Sequence, residues 1–193
     1  MVEIGQNLIW SNQNTQSINE RIHYNGDAPN DWSDVVIVQE GDNNADDHLN
    51  ATVFKNGRMA MATKNSVDNI NEAQFVLRIR DKKGKWANIP YETLSAGKSP
   101  SRPIINHVES GKIFEVHTVK DRENNRYYIS VNEIAENKDG WEFRELIQLK
   151  TKINGKNGDA TSSKSSFLPD EAKLIFFSDD LGNIYSFDLD TLL

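Results

Sequence analysis

The chain has 193 residues, with 22 Lys and Arg against 29 Asp and Glu, a net charge of −7 and no cysteine. That balance excludes broad binding to nucleic acid or anionic membranes, which needs basic surface. The missing cysteine excludes disulfides, thiolate metal sites and cysteine nucleophiles.

A mean hydropathy of −0.66, with four Trp, five Tyr and eight Phe spread along the chain, describes a β-protein with many polar loops rather than disorder. The opening residues MVEIGQNLIW lack the basic and long apolar regions of a signal peptide. No run approaches the ~20 apolar residues of a membrane span. The chain reads as soluble, without an export signal.

Period-two alternation dominates from end to end. Strands are expected at about 3–10, 18–25 and 32–39, then at 47–54, 57–64, 72–81 and 85–92. A further set is expected at about 102–108, 112–120, 125–134 and 141–149, and a last at 160–168, 172–178 and 183–189. Turn pairs separate them: Asn56-Gly57, Lys83-Gly84, Ser110-Gly111, Asp139-Gly140 and Leu181-Gly182. Within the 72–81 strand, Phe75, Leu77 and Ile79 share one face, and Val76, Arg78 and Arg80 share the other.

The strands keep a beat. Trp32, Trp86 and Trp141 lie 54 and 55 residues apart, and Gly57 and Gly111 lie 54 apart. Two landmarks with one period indicate a repeated unit, and repeats of four short strands build a β-propeller. The expected fold is all-β: one propeller-like domain over 1–193, of about 3.5–4 four-stranded antiparallel blades. The blades fall at about 1–40, 45–93, 100–150 and 157–193. The first unit lacks an opening strand and the last a closing one. The ends could meet, two chains could join into a larger ring, or the chain could belong to a longer propeller; the last two together fit best. The repeated Trp residues and Trp10 read as packing residues between blades, and 154–166 as a long channel-side loop.

Several stretches carry a family likeness: IGQNLIWSNQN at 4–14, ADDHLNATVFKNGRMAMATK at 45–64, FVLRIRDKKGKW at 75–86, SRPII at 101–105 and Ser162-Ser163-Lys164. On these the chain resembles bacterial sialidase-like β-propellers, the Asp-box (BNR) repeat group that includes glycoside hydrolases and polysaccharide lyases. The resemblance implies a propeller and a role on glycans. It covers the C-terminal portion of proteins that are usually longer and exported. The Asp-box pattern Ser-x-Asp-x-Gly-x-x-Trp is not intact; Asp139-Gly140-Trp141 and Asp81–Trp86 are its remnants.

The sharpest chemical cluster is Asp46-Asp47-His48, just before the first strand of a complete unit. First strands line a propeller's channel, and the ends at which they begin lie on the ligand-binding face. The equivalent positions of the next two units carry Arg102-Pro103 and Ser163-Lys164. His48, Arg102 and Lys164 are therefore expected to converge at one mouth, with Lys64 and Arg78 or Arg80 from neighbouring strands. Such a cationic rim suits an acidic sugar, whose carboxylate Arg binds bidentately. Asp47 and His48 are the candidate catalytic pair, His48 as general base and an Asp as general acid or orienter. Asp46, Lys64, Arg78, Arg80, Arg102 and Lys164 are the candidate substrate-binding residues. A lyase would use His48 beside a neutralised uronate; a hydrolase would need a second carboxylate, which the sequence does not identify.

Each signal has a structural counter-reading. Asp-Asp-His before a strand also caps turns, and arginines on strands also pair within or between blades. His23, His107 and His117 read as surface or satisfied strand histidines. No metal or cofactor is expected, because adjacent residues in an extended strand point opposite ways. Two functions follow. One is a propeller that binds acidic glycans or derives from enzymes acting on them. The other is a non-catalytic scaffold that assembles with itself or a partner. Whether the chain is an enzyme stays open; the expected partners are carbohydrate and a second copy, with no nucleic acid and no membrane.

Overall fold

Short apolar alternations bounded by Gly and Asn turns leave the chain one economical way to satisfy its backbone, the antiparallel meander. The computed structural model describes residues 5–41, 43, 45–54, 57–95, 97–108, 110–151, 157–162 and 173–193. They form fourteen strands in four antiparallel sheets. Among them no helix is long and apolar enough to cross a membrane. The chain divides into two units, 1–47 and 48–193.

The first unit holds β1 (Gln6–Asn12), β2 (Ser17–His23) and β3 (Val36–Glu40), in the order β1-β2-β3. The β1–β2 turn is closed by the Asn12 side chain, whose Oδ1 accepts the amides of Asn14 and Thr15 at 3.1 and 3.3 Å. Central β2 buries Ile18 and Ile22, and Trp32 meets His23 edge-on at 5.3 Å.

The second unit holds three successive meanders. They are β4 (Leu49–Val53), β5 (Met59–Lys64), β6 (Ala73–Arg80) and β7 (Trp86–Thr93); β8 (Lys98–His107), β9 (Ile113–Asp121), β10 (Arg126–Asn137) and β11 (Gly140–Leu149); and β12 (Thr161–Ser162), β13 (Leu174–Ser178) and β14 (Ile184–Asp188). A 3-10 turn, Leu189–Leu192, ends the chain, with Asp188 accepting the Asp190 amide at its start. The grouping of strands into three, four, four and three is the one the sequence periodicity gives.

The 54-residue beat is turn geometry. After β4, Gly57 donates to the Phe54 carbonyl at 2.9 Å while Phe54 donates to Arg58 at 2.8 Å. After β8, Gly111 donates to Val108 at 2.9 Å and Val108 to Lys112 at 3.0 Å. Both glycines sit at φ of +81° and +88°, a region that a Cβ disfavours. The repeated tryptophans open the fourth strand of each complete sheet, Trp86 opposite Arg80 and Trp141 opposite Glu136.

The β8–β11 sheet is covered on both faces. One face meets the β4–β7 sheet through Ile105 and Ile134 against Ala60, Ala62, Leu77 and Ile79, with Trp141 and Phe143 at the margin. The opposite face packs Phe114, Val116, Ile129 and Val131 on Ile175, Phe177 and Leu189. Each such buried side chain contributes about 1.5–3 kcal/mol. Double coverage explains why β9 is buried without a break from Phe114 to Val119, where a half-solvated strand would alternate.

Candidate functional site

The site begins with a buried amide. Asn50 of β4 accepts the backbone N–H of Ile105 of β8 through its Oδ1 at 2.9 Å. Further along the same strands, Phe54 meets His107 edge-on at 5.0 Å. Moving from Asn50 to Phe54 thus tracks movement from Ile105 to His107, so the two first strands run the same way. β12 continues the series. Ser162 Oγ donates to Asn106 Oδ1 at 3.3 Å, and Arg102 Nε pairs with Asp159 Oδ2 at 2.7 Å. The first strands of three successive sheets therefore begin at a common end.

That common end carries His48, Lys64, Arg102 and Asp159. His48 precedes β4, and its carbonyl accepts the Lys64 amide at 3.1 Å, which sets both residues at the same end of the β4–β5 ladder. Arg102 stands where β8 breaks step with β9, between Ser101 and Ile104. Pro103 has no N–H to continue the ladder and disfavours helical backbone in the residue before it. Arg102 takes φ of +51°, a left-handed conformation that costs a non-glycine residue on the order of 1 kcal/mol or more. Its side chain remains 57% exposed and Asp159 36% exposed. Arg102 thus combines strained backbone with a partly exposed guanidinium paired to a carboxylate.

Of the remaining sequence-predicted residues, Arg78 and Arg80 fall elsewhere. Arg78 and Arg80 lie on β6, facing away from Leu77 and Ile79 and hence away from the β8–β11 sheet. Arg78 is fully buried; its Nε donates to Thr63 Oγ1 at 3.0 Å and its Nη1 to Asn88 Oδ1 at 2.8 Å. Burial lowers its pKa to about 10, so it keeps its charge at neutral pH. Arg80 is buried beside the Asp81–Lys85 turn, close to Gly84. Asp46 and Asp47 close the first unit, with the Asp47 amide donating to Asp46 Oδ1 at 2.6 Å, and the division of the chain falls between Asp47 and His48. Lys164 lies outside the described residues. Asp159 belongs to no sequence motif; only its place in the 154–166 segment pointed near it.

A second polar cluster lies between the β4–β7 and β8–β11 sheets, where the sequence suggested only a satisfied strand histidine. Glu115 and His117 project from the same face of β9, and both Glu115 oxygens lie 3.0 Å from His117 Nδ1. Tyr91 OH and Asn132 Nδ2 also donate to Glu115, at 3.1 and 2.9 Å. Burial opposes charge on His117, and the Glu115 carboxylate more than offsets it, so the imidazole pKa is raised. Burial raises Glu92 as well, and pushes the Tyr91 hydroxyl well above its ordinary value. The signal in the sequence was Glu-x-His inside an otherwise apolar run: two ionisable groups on one face of a strand that should be buried.

No protein-family model and no curated protein matches the chain.

Proposed function

We propose that the four sheets are successive blades of a β-propeller, and that the protein binds an acidic glycan at the common end of β4, β8 and β12. The observation that carries this reading is the shared direction of the three first strands, with Arg102 exposed at that end. Blades arranged around an axis bring their inner strands into such a parallel set. Arg102 would form paired hydrogen bonds to a uronate or sialate carboxylate, with Lys64 adding positive charge and His48 a hydrogen bond. The hydrolase reading requires two carboxylates, of which Asp159 would be one. In the lyase reading His48 is the base. This reading follows the resemblance of the sequence to sialidase-like propellers.

Calorimetric titration with an oligogalacturonate tests the proposal. Binding that weakens with salt, and that Arg102→Ala lowers about ten- to a hundredfold, is the expected result. Equal affinity in the variant would remove Arg102 from the site.

A second reading is favoured by the sheet edges. β3 exposes Val36 and Ile37, and β14 exposes Ile184 at 78% of its surface. Neither strand has a partner on its outer edge among the described residues. Apolar edge strands are templates for pairing with another chain, and a second copy is the occupant we favour. Sedimentation at rising concentration should show a dimer; a monomer throughout would rule out assembly by this route.

A further inference from the structure

The cluster around His117 lines a cavity of about 260 Å³ between two sheets of the same unit. Its apolar walls are Tyr91 and Phe143, whose rings stack at 4.4 Å with 3° between planes, together with Val119 and Pro100. Its polar lining includes Glu92, Glu145, Lys98 and His117.

Two of these groups keep a polar atom without a hydrogen bond among the described residues. His117 is 2% exposed, and its Nδ1 is held by Glu115. His117 lines the cavity, and its Nε2 makes no hydrogen bond among the described residues. Glu92, half-buried on β7, likewise makes no hydrogen bond or ion pair among them. Both groups line one cavity, where a ligand's hydroxyls can hydrogen-bond to them in place of water.

The geometry points to a second ligand site, in which this cavity holds a neutral polyhydroxylated ring the size of a monosaccharide. A hydroxyl both donates and accepts. One can donate to Glu92 while another pairs with His117 Nε2 as donor or acceptor, and the C–H groups of the ring meet the Tyr91 and Phe143 side chains. An ammonium ligand would meet the ammonium of Lys98. A carboxylate ligand would meet Glu92, Glu145 and Glu115. Uncharged hydroxyls avoid both conflicts. The held orientation of His117 resembles that of a positioned base, but binding alone is inferred. The cavity takes Lys98 and Pro100 from the strand that also carries Arg102, but the inference does not rest on the function proposed for Arg102.

Titration of the wild-type protein with D-glucose and D-galactose tests the inference. The probe is the His117 Cε1–H resonance, identified by its loss in His117→Gln. Saturable movement of that resonance at millimolar sugar is expected, along with the Tyr91 and Phe143 ring signals. Glu92→Gln should weaken binding about tenfold or more, and D-glucosamine should bind less well than D-glucose. Absence of a saturable response to either neutral sugar would overturn the inference. So would a preference for D-glucosamine, or an affinity that Glu92→Gln leaves unchanged.

Discussion

Asn50 and Ile105, 55 residues apart in sequence, are joined by a buried side-chain-to-backbone hydrogen bond of 2.9 Å that ties the first strand of one sheet to the first strand of the next. Asn50 is 7% exposed and Ile105 4%, so water cannot take either partner's place. The bond fixes which residues of β4 lie beside which residues of β8. It thereby puts the His48 and Arg102 ends on the same side.

Asn50→Ala should lower stability by about 1–3 kcal/mol, the cost of leaving a buried N–H without an acceptor. Urea denaturation checks this. A change below a few tenths of a kcal/mol would mean that the bond does not hold the strands in step.

Much of this framework was legible in the sequence. Turn glycines and alternating runs gave all fourteen strands and their grouping, because those signals act within a few residues. The site was legible only in part. His48 precedes β4, whereas Arg102, expected to open its strand, lies inside β8 at a break in the ladder. Arg78 and Arg80, by contrast, were assigned from their strand without knowing which face would be covered. Asp159 lies in an irregular segment with no periodicity to mark it. The Glu115–His117 pair was missed because its environment is made by Tyr91 and Asn132, which are 24 and 17 residues from Glu115 in the chain.

Backbone strain at Arg102 yields a reversal of the usual order. At an ordinary strand position Gly is less stable than Ala by roughly 0.5–1 kcal/mol. At φ of +51°, Arg102→Gly should equal or exceed Arg102→Ala in stability, while both lose affinity for the acidic glycan. Paired denaturation curves decide it; the ordinary order would show that the left-handed backbone is not maintained.

Asp159 competes with an acidic ligand for Arg102, since the two are paired at 2.7 Å. Asp159→Asn should therefore tighten equilibrium binding of an oligogalacturonate several-fold, about 1 kcal/mol or less for so exposed a pair. Weaker binding in calorimetry would instead make Asp159 a direct ligand contact.

The Glu115–His117 pair predicts a pH dependence with a definite sign. The imidazole pKa is raised in the folded protein, so the pair's stabilisation is complete below the unfolded value of 6.5 and is lost as pH rises through the folded one. The neighbouring groups are Glu92 and Tyr91 on β7, Lys98 on β8 and Glu145 on β11, and none of them reverses this sign. Urea midpoints measured from mildly acidic to mildly alkaline pH should fall more for wild type than for His117→Gln. Parallel profiles would place the titration elsewhere.

The most direct measurement is an amide chemical-shift map of the protein titrated with an oligogalacturonate. The account predicts that His48, Lys64, Arg102 and Asp159, which come from three different sheets, shift together and saturate at one concentration. Shifts confined to other surfaces, or none at all, would contradict it.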